Sequence, residues 1–463
     1  MLPVQPETSI PSISDAPGLS GRKLLPYLPA IQQNAPVFLH ETAAGFGDLV
    51  NLSILIRQVA FVNHPDGIKH VLQDNNKNYN KNTIQFSSLR RITGNGLLTS
   101  DGTFWFRQRR LEQPVFARPR IQALDQVIIP ATLKMLERWE KNASSAEPVN
   151  IDSEMMQLTL EIVGKALFSI DLSAETALIT RAVMTALDHL VQQMQNPFSP
   201  PDWIPTPRNL SFRKSLKLLD KAVYGLIDSR QRSGEPGEDM LGVLLKARDE
   251  ETGEPMSRTQ VRDEVLTLLI AGHETVASAL TWTWLLLDQN PAIRQQLEVH
   301  IEETLKGRIP ASADLGVLEP VGRAFSEALR LYPPAWLITR KAIADDIILG
   351  HRIPAGTLII LSPYAIHRHP AFWQEPEKFD PSRFSPEGEK GRPRYAYIPF
   401  GGGPRLCIGS GFAQVEAVLI MTMVMQRFEL TIAPGHSPAM DALVTLRPHG
   451  GLPMIPRLRS MQR

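Results

Sequence analysis

FGGGPRLCIGSGFAQVEAVLIMTMVMQRFEL, residues 400–430, carries the single cysteine of this 463-residue chain, Cys407. Three consecutive glycines, Gly401 to Gly403, let a backbone turn tightly against something flat and large. An apolar-periodic segment begins near Ser410, so the thiol stands just ahead of a helix start. The positive end of a helix dipole and its free amides favour a thiolate there. A lone thiol forms no internal disulfide, and metal sites built from several thiolates are excluded. Without context a single cysteine reads as a small buried hydrophobe, and the glycines as an ordinary turn.

A second stretch runs from Ser257 to Asn290, bounded by a Ser cap and by Pro291. As a helix it is about 48 Å long at 1.5 Å per residue. Its middle, VLTLLIAGHETVASALTWTWLLL, is apolar nearly all round and reads as a central, buried element. A membrane span has the same length, but His273, Glu274 and Thr275 sit at the midpoint, where an ionisable group in lipid costs several kcal/mol. Gly272 removes a side chain where a flat ligand approaches, and Glu274 sets an acid beside the Thr275 hydroxyl. A local bond from Thr275 to a preceding carbonyl is expected as well.

Around these two stretches the chain reads as mostly α with a small β region split in sequence, closed as a single domain. Lys plus Arg number 49 against 48 Asp plus Glu, which leaves no global basic field for nucleic acid. Hydrophobic residues make up 43%, ample for a large core. The start, MLPVQPETSIPSISDAPG, has no basic opening followed by an apolar run, which argues against a signal or anchor helix. Residues 1–36 are Pro- and Ser-rich and read as an extended arm on the body formed by residues 37–463. LVNLSILIRQVAFVNHP predicts two short strands leading to a helix near Pro65 to Leu72, and Tyr79 to Ser100 an irregular loop. DIILGHRIPAGTLIILS predicts a hairpin turning at Pro354-Ala355-Gly356. The prolines between Asn196 and Asn209 demand a non-helical crossing, with Trp203 suited to a lid.

The string F-x-x-G-x-R-x-C-x-G at Phe400, Gly403, Arg405, Cys407 and Gly409 resembles the cytochrome P450 haem-binding signature at every fixed position. Ala271 to Thr275 is similar to that family's A/G-G-x-D/E-T distal helix, with Val276 where Thr or Ser often follows. Glu327 and Arg330 in FSEALRLYPP, with Arg383 in FDPSRF, resemble the family's buried Glu-Arg-Arg scaffold. Trp105 and Arg109 match its W-x-x-x-R. The resemblance runs in the family's own order from Trp105 to Cys407 and implies the P450 fold, with haem between the long central helix and the Cys loop.

It further implies haem b ligated by the Cys407 thiolate, with Ala271, Gly272, Phe400 and Gly409 near the cofactor and Trp105, Arg109, Arg340 and Arg405 at its propionates. Thr275 and Glu274 take the catalytic roles, delivering protons to bound dioxygen. The implied activity is insertion of one oxygen atom of O2 into a hydrophobic substrate, with a fatty acyl chain or a terpenoid favoured. Leu98, Val276, Ala335, Trp336, Leu337 and Leu446 are the candidate substrate-lining residues. Electrons are expected from a separate ferredoxin or flavodoxin with its NAD(P)H-dependent reductase. A cytoplasmic monomer without a transmembrane anchor is expected. A haem-thiolate isomerase or peroxygenase, which typically lacks the acid–Thr pair, and a non-catalytic haem sensor stand as alternatives. His367 in AIHRHP is expected to be a structural hydrogen-bonder, since its neighbours are not at ligand spacing.

Overall fold

The computed structural model describes residues 10–54, 57–143, 147–170, 176–196, 199–235, 237–248 and 253–459. They fall into two compact units, each assembled from separated segments. The first comprises Met1–Thr83, Trp336–Glu377 and Gly391–Cys407; the second comprises Ile84–Ala335, Lys378–Lys390 and Ile408–Arg463.

In the first unit, helix α1 (Leu28–Phe46) precedes strands β1 (Leu49–Asn51), β2 (Val59–Val62) and β3 (Tyr79–Asn80). Strands β4 (Ile338–Ala342), β5 (Asp346–Ile348), β6 (His351–Ile353) and β7 (Leu358–Leu361) follow much later in the chain. The main sheet has the order β1-β2-β7-β4-β3, with the β2–β7 pair parallel and the others antiparallel. Ile13, Val62, Ile68, Ile359 and Leu361 pack into its core.

Two expectations change here. The stretch expected to be extended to residue 36 forms 3-10 turns at Ile13–Asp15 and Gly21–Tyr27 and is α-helical from Leu28. Asn34 leaves the helical region (φ −154°, ψ 77°), and its side chain accepts from the Val37 amide at 3.3 Å, restarting the helix around Pro36. The hairpin turns at Leu349-Gly350, five residues before the expected Pro354. Both turn residues have positive φ (47° and 77°), the twist that suits a two-residue hairpin. Leu is a poor residue for that conformation, so composition pointed to Pro-Ala-Gly instead, which only leads into β7.

The second unit is helical: α2 (Ile84–Thr93), α3 (Gly102–Glu112), α4 (Ile151–Phe168), α5 (Thr176–Gln195), α6 (Pro207–Ser233), α7 (Arg258–Gln289), α8 (Glu319–Leu331) and α9 (Ser410–Arg427) position the site. A small antiparallel pair, β8 (Met440–Ala442) and β9 (Leu446–Pro448), lies near the C-terminus. Helix α2 replaces half of the loop expected over Tyr79 to Ser100. Phe86, Leu89 and Ile92 repeat every three residues and are buried, a single apolar face too short and too interrupted by Ser and Arg to stand out. The GNG turn after it is bound to α7: the Asn95 amide donates to Asp263 (2.8 Å) and the Leu97 amide to Glu264 (2.7 Å).

The crossing after α5 is non-helical over residues 199–206, while residues 197 and 198 lie outside the described set. Its Asp202 carboxylate accepts from Gln193 (2.9 Å), bonds His189 (3.0 Å) and pairs with Arg91, while Trp203 is 77% exposed.

Helix α7 begins where expected, the Ser257 hydroxyl accepting from the Gln260 amide at 3.2 Å. It is long and apolar enough to cross a membrane, yet 83% of its most apolar stretch is buried inside the protein. It is the core helix of this unit.

Candidate active site

The middle of α7 presents two different faces. On one, Ala271, Gly272 and Thr275 keep partial exposure although nearly every neighbour from Val261 to Leu287 is buried. The Thr275 hydroxyl donates to the Ala271 carbonyl at 2.8 Å, which leaves its oxygen lone pairs to accept from a ligand. The other face is clamped. Glu274 accepts from the Thr445 hydroxyl at 2.8 Å, and the Leu446 carbonyl accepts from Trp282 Nε1 (3.0 Å) and from the Ser278 hydroxyl. Residues 274, 278 and 282 recur every four positions, so one stripe of the helix holds the turn between β8 and β9.

Behind that turn Arg447 is buried, paired with Asp152 of α4 and donating to Met184 Sδ of α5 at 2.8 Å. Burial pushes the Glu274 carboxyl up to about 7, opposed by the Arg447 charge and the Thr445 hydrogen bond. Asp188 and Asp152 push it the same way as burial. His273 is held neutral in turn: burial lowers it to about 4 although its Nδ1 bonds the Leu269 carbonyl at 2.7 Å.

Gly272 answers to packing. A Cβ there would lie 3.0 Å from Val163 of α4, and the neighbouring His273 carbonyl accepts from the Thr159 hydroxyl at 3.0 Å. Close approach of α4 therefore favours this glycine, which also keeps partial exposure beside Ala271. Two glycines of the triplet before Cys407 also have close protein neighbours. A Cβ on Gly402 would meet the Tyr395 ring at 2.5 Å, and one on Gly403 (φ 65°) the Leu72 carbonyl at 1.9 Å. The turn closes with the Cys407 amide donating to Phe400 O at 3.0 Å, and the Cys407 side chain is exposed. For a residue type that is ordinarily buried, this exposure marks the thiol as presented. Gly409 occupies the N-cap position of α9, two residues on.

Glu327 and Arg330 are both fully buried on α8 and paired through two bonds, 2.7 and 2.8 Å. Arg383 Nε lies 3.3 Å from the same carboxylate, and the Asp380 amide donates to it at 2.9 Å. Burial raises the proton affinity of Glu327, and Arg330 and Arg383 oppose it.

With this geometry in view, the likeness to known proteins is unambiguous. The family model "Cytochrome P450" matches residues 17–451. The chain belongs to the cytochrome P450 family. It is 36% identical to cyclooctatin synthase of Streptomyces melanosporofaciens, over 96% of this chain and 95% of that protein. It is 33% identical to pentalenene oxygenase of Streptomyces avermitilis, covering 89% and 90%. The crystal structure of CYP175A1 from Thermus thermophillus aligns with a TM-score of 0.77 at 31% identity, over 95% of this chain and all of that one. The mostly helical P450 fold and the monooxygenase class follow.

Within this P450, Trp105 and the half-buried Arg109 lie on α3 one helical turn apart, and Arg109 also acts on the carboxyl of Glu112. Arg340 is buried in β4 with a bond to the Thr339 carbonyl (2.8 Å), and Arg405 ends the short turn Gly403–Arg405. Of the residues expected at the substrate, Leu98 and Leu337 are half-buried, Ala335 is exposed, and Trp336 and Val276 are buried. Leu446 is fully buried, and its backbone carbonyl clamps α7. His367 is buried and its Nε2 accepts from the Ile398 amide at 2.8 Å, the structural bond expected of it.

Sequence reading placed Val444 to Leu446 at the substrate and missed the bond from Thr445 to Glu274, and it missed Arg447 and Asp152. Each stands alone in its stretch; the only cue was an Arg and a Thr inside the apolar run LVTLRP. It also missed a cavity of about 30 Å³ lined by Leu160, Ile179, Val183, Leu219, Leu266 and His273. That volume suits roughly one or two waters and is far below that of a hydrophobic substrate.

Proposed function

We propose that this P450 binds haem b through the Cys407 thiolate and inserts one atom of dioxygen into a terpenoid. The observation that carries the reading is the accessible strip Ala271, Gly272 and Thr275 on an otherwise buried helix, which fits the edge of a large planar ligand. The exposed thiol in the signature loop fits its axial ligand. Of the two substrate classes favoured by the sequence, with a polyketide or steroid also left open, the terpenoid is favoured by the terpenoid-modifying relatives.

Bound haem supplies the oxygen-activating chemistry, tuned by a thiolate ligand. Trp105, Arg109, Arg340 and Arg405 hold the propionates by charge-assisted hydrogen bonds, and Phe400 and Gly409 flank the thiolate. Thr275 accepts and passes a proton on the strip side, and Glu274, protonated up to about neutral pH, is the proton source behind it. Leu98, Val276, Ala335, Trp336 and Leu337 border the substrate and exclude water. Electrons come from a separate ferredoxin or flavodoxin with its NAD(P)H-dependent reductase, and the enzyme works as a cytoplasmic monomer.

The test begins with the reduced, carbon-monoxide-bound spectrum. A strongly red-shifted Soret band that disappears in Cys407→Ser is expected. Turnover of a terpenoid panel under ¹⁸O₂ with a ferredoxin system then yields a product carrying one labelled oxygen. A histidine-type Soret band in the wild type, or a product without label, defeats the reading.

A further inference from the structure

The catalytic acid and the catalytic hydroxyl are neighbours in sequence, yet they point in different directions. Successive residues of an α-helix are about 100° apart around its axis. Thr275 shares the accessible strip with Ala271, one turn away, whereas Glu274 belongs to the stripe of Ser278 and Trp282 that grips the β8–β9 turn. That turn is held firmly: the Leu446 amide donates to the Pro334 carbonyl at 3.2 Å, and Trp282 stacks on Tyr332 with ring centroids 4.1 Å apart. Thr445 is 3% exposed and Glu274 2%, so their 2.8 Å bond is shielded from water.

We propose that Thr445 is a positioning residue for proton delivery: its hydroxyl holds the Glu274 carboxyl against the β8–β9 turn, beside Arg447, as a loading position away from Thr275. The inference rests on the reading of Glu274 as the proton source. In this position the carboxyl takes up a proton; delivery toward Thr275 requires the side chain to leave Thr445 and turn about the helix axis. No bond other than O–H is made or broken, and the proton lost from Glu274 is replaced from solvent through the same cluster.

The groups around Glu274 suit a store for one exchangeable proton. From the turn comes the guanidinium of Arg447, from α4 the carboxylate of Asp152, from α5 that of Asp188, and on α7 itself the neutral His273. Arg208 on α6 and Asp441 on β8 act in turn on Asp188, which is half-buried and itself pushed up by burial. Arg447 thus faces both Glu274 and Asp188 while already paired with Asp152, and burial pushes the carboxyls of Glu274 and Asp188 up. Asp188 is the member nearest solvent and is the point where protons enter.

The test uses the haem-loaded enzyme with Thr445→Val, Thr445→Ser and Glu274→Gln. Infrared difference spectra on carbon monoxide photolysis, taken from pH 5 to 9, follow the protonated carboxyl band of Glu274, identified by its loss in Glu274→Gln. Thr445→Val removes a hydrogen bond to the charged form, so the band's titration midpoint is expected to rise by about one pH unit. Thr445→Ser restores it. In turnover at pH 8 the valine variant is expected to lose at least threefold in product formed per NAD(P)H at unchanged KM, again restored by serine. A wild-type midpoint in Thr445→Val, with Glu274→Gln uncoupled, overturns the assignment of Thr445. Full coupling in Glu274→Gln instead overturns the reading of Glu274 as proton source on which the proposal rests. The Soret band in each variant reports intact folding independently of either result.

Discussion

Three buried carboxyl groups in the helical unit differ in how many cations attend them. Glu327 on α8 has two, Arg330 in bidentate contact and Arg383 at 3.3 Å. Glu274 on α7 shares one, Arg447, with Asp152 and Asp188. Glu416 on α9 has none: among the described residues neither of its oxygens has a hydrogen-bond partner, and burial alone pushes its carboxyl well up. A fully attended carboxylate is a fixed strut, because moving its charge strands two guanidiniums. An under-attended one keeps a proton it can give away. An unattended one is simply a neutral acid, and only the middle case combines a movable proton with a neighbouring strip that a ligand can reach.

This ranking of charge balance can be broken by experiment. The largest effect is expected for Arg330→Leu, which leaves Glu327 buried without its main partner and costs about 3–5 kcal/mol in denaturant unfolding. Adding Glu327→Leu to it should recover much of the loss; a double variant as weak as the single one would mean the site needs its shape more than its charges. Next is Glu274→Gln. The folded protein holds the Glu274 proton up to about pH 7, whereas an unfolded chain releases it near 4.5. The stability from this group is therefore complete below pH 4.5 and lost as pH rises to about 7, up to about 3 kcal/mol. The glutamine variant should lack that slope, so its melting temperature gains on the wild type between pH 4.5 and 7; parallel curves would place Glu274 among the ordinary ion pairs.

Smaller effects sharpen the picture. Arg383 is 12% exposed and farther from Glu327, so Arg383→Met should cost about 1–3 kcal/mol, clearly less than Arg330→Leu. Ser278→Ala should cost about 1 kcal/mol by thermal unfolding, since the Leu446 carbonyl keeps its bond from Trp282. Glu416→Gln should leave melting unchanged below about pH 4.5 and gain on the wild type as pH rises above it, because the unfolded chain releases a proton that the buried carboxyl keeps. A drop at both ends would reveal a partner for Glu416.

Much of the site was legible before any coordinates. The Cys407 loop, the Ser257 cap, the Glu274-Thr275 pair and the Glu327-Arg330 spacing are all local patterns, each contained within a turn or two of chain. What escaped was set by contacts between distant segments. Helix α2 has its apolar face spread thinly over ten residues, and the turn at Leu349-Gly350 uses a residue that local preference disfavours. Gly272 and Gly403 were recognised as special, but their neighbours Val163 and Leu72 lie far along the chain.

By itself the sequence determined the family, the single thiol set just before a helix start, the helix that carries the acid and hydroxyl, and the ion pair on α8. These depend on residue type at short spacing, which a linear string records completely. Only the tertiary structure decided which way Glu274 faces. Its hydroxyl partner is 171 residues away and its cation shares a bond with Asp152, 295 residues off. Side-chain direction and proton affinity in a buried site depend on whatever the fold brings within a few ångströms, and no local pattern encodes that.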